Sequence, residues 1–423
     1  MKTAGSIRLC VVVAAMGLMA SALSQAADWP QFQGPNRDGT SPEQGLARTW
    51  PENGPKVLWS FSVGQGYGAP VVRDGEVYIL DRVEDKQDIV RCLDLQTGKE
   101  LWKYAYDAQG NLSHNGSRTP PTVDEKYVYS VGVFGHFYCI DRKTHQPVWH
   151  KNILTDFKVE FPGWGVVQSP SLYKDLVIVA PQAPDAFVVA YKRDTGEIAW
   201  KSPSLGKVGY STPVIAKLAG VEQAVMIGAR EGKVAGISLE NGSILWEYAG
   251  WQCKIPIPFP KPLPDDRLLI TGGYGAGSAM IQVKQENGKF AVKELFKTDA
   301  CASQIQQPLL VGDFLYVNNS SNERDEGMMC MSLDGQVKWK TAALEPALKF
   351  DRGSLIYADN LIVILDGKKG ELHLVEPSPD AYKELAKAKI FDGKEIWAPL
   401  ALSEGKLLLR NQTEMKCLDL RKP

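Results

Sequence analysis

Apolar and polar positions alternate in short bursts along most of the chain, and the bursts recur. Four segments show the pattern plainly: CLDLQTGKELW (92–102), CIDRKTHQPVW (139–149), AYKRDTGEIAW (190–200) and GISLENGSILW (236–246). Each reads as a strand, a tight polar turn with Gly or a stand-in, a second strand and a closing Trp, which is the signature of a β-hairpin. A fifth copy, CMSLDGQVKW (330–339), is one turn residue shorter. The closing slot falls at Trp59, Trp102, Trp149, Trp200, Trp246, Phe296, Trp339 and Leu385, at intervals of roughly 43–51 residues. Upstream of each hairpin a small residue and Pro open another apolar strand, as at Ala69-Pro70, Thr119-Pro120, Ser169-Pro170, Thr212-Pro213, Gln307-Pro308 and Ala398-Pro399. Phe259-Pro260 and Gly353-Ser354 are weaker copies. A further strand follows in each period, as in EVYIL (76–80) and LIVIL (361–365).

Four short strands per period of 40–50 residues predict the blades of a β-propeller. The predicted fold is all-β, with eight four-stranded antiparallel blades. The last repeat ends at KCLDL (416–420) without a fourth strand, whereas VLWSF (57–61) has no blade before it. The N-terminal strand is therefore expected to complete the last blade and close the ring, which removes open sheet edges. Residues 27–56 form a lead and 57–423 the propeller, with no room for a second domain. Tyr382–Lys389 is the one helix-like stretch and is assigned to blade seven. Each closing Trp is expected to pack on the next blade, with its indole N–H on a backbone carbonyl.

At the N-terminus, Lys2 and Arg8 precede an apolar run from Leu9 to Ala20, followed by Ser24-Gln25-Ala26. This is the layout of a secretory leader, with cleavage expected after Ala26. The run is too short for a stable span, so a soluble periplasmic or secreted monomer is expected. The net charge of −1 supplies no basic field for nucleic acid.

The Trp repeats resemble those of the pyrroloquinoline-quinone (PQQ)-like propeller superfamily, over nearly all of the chain after the leader. The lead DWPQFQGPNRDGTSPE (28–43) is similar to the start of exported bacterial PQQ-binding-like repeat proteins. The superfamily has an enzymatic branch of quinoprotein dehydrogenases and a scaffold branch similar to the outer-membrane assembly lipoprotein BamB, and fold does not choose between them. The dehydrogenases imply an adjacent Cys pair, a Ca²⁺ site of carboxylate and Asn ligands, an Asp base and long insertions. Here Cys92, Cys139, Cys253, Cys301, Cys330 and Cys417 are all separated, and insertions of that size are missing. The reading is a binding or scaffold module without cofactor, and the alternative is a PQQ- and Ca²⁺-dependent dehydrogenase with a reduced site. Channel aromatics leave a third class open, a carbohydrate-binding or lyase-like propeller.

Cys92, Cys139, Cys330 and Cys417 share one repeat slot with Ala190 and Gly236, which predicts buried free thiols. For Cys253 and Cys301 a bond stays open. His114, His136, His145, His150 and His373 show no metal-ligand spacing, and GQGYG (64–68), GGYGAG (272–277) and NRDGT (36–40) read as turns. Propellers bind where the first strands converge on the channel mouth. Arg118, Gln168, Tyr210, Gln306, Arg352 and Trp397 precede those strands and are the candidate ligand-binding residues, with Tyr67 in the same slot and Lys254 leading blade five. The partner is then a small polar ligand or a protein of the cell envelope. PIPFPKPLP (256–264) is a stiff run expected to shape the rim.

Overall fold

The computed structural model describes residues 27–422; the proposed leader lies outside them. Eight sheets, each built on four antiparallel strands, form the blades of a propeller; seven of these sets are consecutive in the chain and the eighth takes its outer strand from the N-terminal end. Apart from a short 3-10 turn at Thr341–Ala343, the described regular structure is all strand. The ring closes as its unpaired ends require. Lys56–Ser62 pairs antiparallel with Glu414–Asp419, opposite the first two strands of blade eight, Ala401–Ser403 and Lys406–Arg410.

The register explains the repeat. A β-bulge falls at the same place in every outer hairpin, and it sets the Trp slot directly opposite the small-residue slot. Cys92 faces Trp102, Cys139 faces Trp149, Ala190 faces Trp200, Gly236 faces Trp246, Cys330 faces Trp339 and Cys417 faces Trp59. The two divergent blades trade volume across the same pair: Met280 faces Phe296, and Leu374 faces Ala386. Blade seven's closing position is therefore Ala386, one residue past the expected Leu385. The helix-like run resolves as the outer strand Lys383–Lys389. Pairing with Glu371–Glu376 outweighs the helix propensity of its Lys, Glu and Ala residues.

Trp docking joins successive blades. Trp59 Nε1 donates to the Leu95 carbonyl at 2.9 Å, Trp149 to Arg193 at 2.7 Å, Trp200 to Leu239 at 2.9 Å and Trp339 to Ser378 at 2.9 Å. Beneath Trp59 lies the turn residue Gly98 (φ +69°), where a Cβ would come within 2.5 Å of the indole. Two tryptophans depart from the expectation. Trp102 meets His145 in the Gly position (φ 60°), so its ring stacks on the imidazole at 4.8 Å and makes no such bond. Trp246 donates within its own blade to Gln223 Oε1 at 2.5 Å, because blade five replaces the tight turn with the long hairpin Gly277–Thr298. All six described cysteines are buried and free, which settles Cys253 and Cys301 as thiols.

The lead does more than precede the first blade. It fills the channel. Trp29 exchanges backbone hydrogen bonds with Val72 of blade one, and the Pro30 carbonyl accepts from Val123 of blade two. Arg37 donates to the Pro170 carbonyl of blade three, and Lys261 of blade five donates to the Asp38 carbonyl at 2.7 Å. Thr40–Ser41 lies parallel to Leu355–Ala358 as a fifth strand in blade seven. The segment then leaves beside blade eight, where Leu46 bridges to Arg421. Both ends of this plug sit at the face where first strands turn into second strands, since Asp28 meets Asp74 and Glu43 meets Gly405. NRDGT is a turn at its tip, as its residues imply.

Candidate functional site: a blind cup at the channel mouth

The loops leading into the first strands surround a cavity of about 490 Å³. Arg118, Gln168, Tyr210, Gln306, Arg352 and Trp397 all line it, together with Tyr67. Lys254 points away and is exposed. Ile257, from the Pro-rich run, takes the blade-five place in the wall. The prolines of that run are tolerated because Lys261–Leu263 is the channel-side edge of its blade. Phe32 of the plug also lines the cavity and packs edge-on against Phe259 at 6.0 Å. With the channel filled below it, the cavity is a cup open at one end.

The polar groups of the wall are unequally committed. Gln168 spends its amide on both backbone groups of Ala180, donating at 2.6 Å and accepting at 2.5 Å. Gln306 Nε2 donates to the carbonyls of Arg352 and Trp397 at 2.9 and 3.2 Å. Both side chains hold loops in place, Gln168 with its whole amide and Gln306 with its amide nitrogen. Arg352 is likewise engaged, by Asp351 at 3.1 Å, Gln304 at 3.0 Å and Asn322 at 3.0 Å, and it lies 5.0 Å above the Trp397 ring. Trp397 donates to Asp351 Oδ2 at 2.7 Å and stacks on Tyr67 at 5.6 Å, and Tyr67 donates to Glu395 at 2.9 Å. Tyr210 accepts from the Trp164 backbone N–H at 3.4 Å, with the two rings 5.3 Å apart.

Arg118 differs. Its Nη2 donates to the His114 carbonyl, its Nε has no partner, and its guanidinium lies 5.6 Å over the Tyr67 ring. Burial pushes its pKa down, which is the mark of a cation stripped of water without a carboxylate in return. No Asp or Glu lines the cavity. Asp351 and Glu395 sit behind the wall, already bonded to Arg352, Trp397 and Tyr67. The cup is thus aromatic and apolar with one unmatched positive charge, suited to a flat organic anion.

This chemistry does not fit a Ca²⁺–quinone centre. The wall offers Asn322 with its oxygen already accepting from Arg352, no carboxylate ligand, no carboxylate base and no cysteine. Among the described residues no group of three His, Cys, Asp or Glu side chains is placed to hold a metal ion. Sequence reasoning missed Phe32, Trp164, Ile257, Tyr274 and Gln304 of the wall. Tyr274 sits in GGYGAG, where the glycines read only as turns; the other four stand outside the repeat slots.

The model of a family described as outer membrane protein assembly factor BamB matches residues 85–341. BamB of Yersinia pestis is 24% identical over 207 residues, 46% of this chain and 48% of that protein. The 1-butanol dehydrogenase (cytochrome c) of Thauera butanivorans is 23% identical over 261 residues, 58% of this chain and 36% of that enzyme. The chain thus spans about half the length, or less, of these curated relatives. Among solved structures, BamB from Moraxella catarrhalis superposes with a TM-score of 0.61 at 12% identity, covering 87% of this chain and 98% of that one. A europium-containing methanol dehydrogenase superposes with a TM-score of 0.65 at 13% identity, covering 90% and 89%. Both branches of the superfamily share this fold.

Proposed function

We propose, for a chain that belongs to the family of PQQ-like propellers described as outer membrane protein assembly factor BamB, the role of an exported, non-catalytic binding module that holds a small organic anion in the cup. Export rests on the leader layout of residues 1–26. The observation that carries the ligand reading is Arg118, a partly desolvated guanidinium with no carboxylate partner in a wall free of acids. The site works without a cofactor in this reading. PQQ supplied with Ca²⁺, an alcohol and an artificial electron acceptor should therefore give no turnover, and turnover would move the protein to the dehydrogenase branch.

The binding test uses two dyes of similar shape. Anilinonaphthalene sulfonate is anionic and phenylnaphthylamine is neutral. A charge-assisted hydrogen bond contributes about 1.5–3 kcal/mol. Arg118→Gln should thus weaken the sulfonate about 10- to 150-fold and leave the neutral dye nearly unchanged. Equal effects on both dyes, or none on either, would refute the reading.

A second reading, docking to an envelope protein, has its own observation. Val57, Leu101, Val148 and Ile198 are 42–48% exposed on the outer strands of four consecutive blades, eight, one, two and three. The four stand at the same position of successive outer strands, just before the closing Trp or one residue further, so they form a row a partner could contact. Leu101→Glu with Val148→Glu would abolish partner capture from envelope extracts in this case and spare dye binding.

A further inference from the structure

Glu43 is 1% exposed, yet among the described residues no Lys, Arg or His side chain pairs with it. Its carboxylate accepts three backbone N–H groups: Glu404 at 2.5 Å and Ala27 at 3.3 Å on Oε1, and Gly405 at 2.6 Å on Oε2. Neutral donors stabilise a buried carboxylate less than a cation does, and burial here pushes its pKa up. The neighbouring charges do not compensate. Glu404 is held by Lys406 at 2.9 Å, and Arg421, which packs against Gly405, is held by Asp419 at 2.6 Å. The third donor is the informative one. Ala27 is the residue that follows the expected leader cleavage site.

We infer that cleavage after Ala26 turns the Ala27 nitrogen into an ammonium that pairs with the buried Glu43 carboxylate and staples both ends of the channel plug to blade eight. The inference rests on the leader reading given above. Hydrolysis by a leader peptidase adds water across the Ala26–Ala27 bond. The C–N bond breaks, the hydroxyl goes to the Ala26 carbonyl and a hydrogen to the Ala27 nitrogen, and the amine takes a further proton from solvent. Before cleavage the amide N–H offers Glu43 one neutral donor. After it, the same atom offers a full charge at the same place. Ala27 lies where the plug enters and Glu43 where it leaves, so the pair closes the loop that carries Phe32, the floor of the cup. Export processing thereby completes the fold around the ligand site.

Three proteins with defined starts test this: one beginning at Ala27, one with Gly-Ser before Ala27, and one acetylated on the Ala27 nitrogen. No side chain changes, so all three should fold. At pH 7 the free Ala27 start should unfold in urea about tenfold more slowly than the other two. The gap should close as acid protonates Glu43, and again above about pH 9–10 as the amine loses its proton. A ¹³C-dimethylated Ala27 amine, followed by NMR, should titrate above the ordinary value of about 7.7–8.0. In Glu43→Gln it should return to that range. Equal unfolding rates in the three forms, or an amine with ordinary titration in the unaltered chain, would overturn the ion pair. Intact mass of the exported protein checks the other premise. A start other than Ala27 overturns the processing step, whatever the defined chains do.

Discussion

Replacing Trp59 with Ala removes the side chain that fastens the ring's closing strand to blade one. The indole is 8% exposed, lies over Gly98 and donates to the Leu95 carbonyl at 2.9 Å. Burying a large apolar side chain contributes about 1.5–3 kcal/mol, and a neutral hydrogen bond about 0.5–1.5. Cavity formation brings the usual cost of Trp→Ala in a core to about 3–5 kcal/mol. Trp102→Ala serves as the internal control. That ring occupies the same slot one blade on, is less buried, stacks on His145 and has no carbonyl partner. Its loss should cost about half as much. Trp59→Phe, which keeps most of the ring and loses the donor, should cost about 1–2 kcal/mol. The assay is urea unfolding followed by tryptophan fluorescence and far-UV circular dichroism. Where unfolding is irreversible, unfolding rates give the order. Equal losses for Trp59→Ala and Trp102→Ala would refute the claim that docking on a carbonyl above a glycine turn joins the blades.

Two further outcomes follow from the buried groups. Burial pushes the thiols of Cys92 and Cys417 up to about 12 and those of Cys330 and Cys253 up to about 11, so a disulfide reagent at pH 8 should label none before denaturant is added, and early labelling of Cys92, Cys330 or Cys417 would refute the shared-slot argument. Burial also lowers Lys261 to about 8; between about pH 8 and its unfolded value near 10.4 the unfolded chain binds the extra proton, so folding stability should rise with pH by up to about 1.4 kcal/mol per unit. Lys261→Met should lack that rise, measured as the difference between the two pH profiles, and parallel profiles would place Lys261 in solvent.

The blades, the closure and six members of the cup were legible because each depends on a position that repeats. The residue before the first strand faces the cup in every blade but the fifth, whatever its chemistry; there the Pro-rich run puts Ile257 in the wall in place of Lys254. What each wall residue is free to do was not legible. Gln168 and Arg118 occupy the same slot, yet Gln168 is consumed by the backbone of Ala180 and Arg118 is left with an unpaired Nε. That difference lies in partners distant in sequence. The closing slot of blade seven moved from Leu385 to Ala386 for a related reason: the position of the bulge, which pairs Ala386 with Leu374, is set by the register of two strands and not by the identity of either residue. The plug was illegible altogether. Trp29, Phe32 and Leu46 are apolar without a period, and only the empty axis of a ring that does not yet exist could explain their burial.

That axis also accounts for the sign of the cup. Down the channel lie Arg118, Arg37 and Lys261, each bonded to a backbone carbonyl: His114, Pro170 and Asp38. Burial lowers the pKa of all three, with Arg37 held at about 9 and Lys261 at about 8. A stack of partly matched cations is costly in an apolar channel and is not needed for packing, since a methionine could fill the Lys261 site. The cost makes physical sense if the field has work to do. Low-dielectric walls focus it toward the one open end, where a chain of net charge −1 otherwise offers anions nothing. Asp38 partly offsets the burial of Lys261, and full carboxylate pairing of all three cations would have erased the field. The side chains that could have done so, Asp351 and Glu395, are turned to Arg352, Trp397 and Tyr67 instead. The acids behind the wall thereby stiffen it through Arg352, Trp397 and Tyr67 and leave Arg118 as the one lining cation without a carboxylate, the arrangement that the proposed anion site requires.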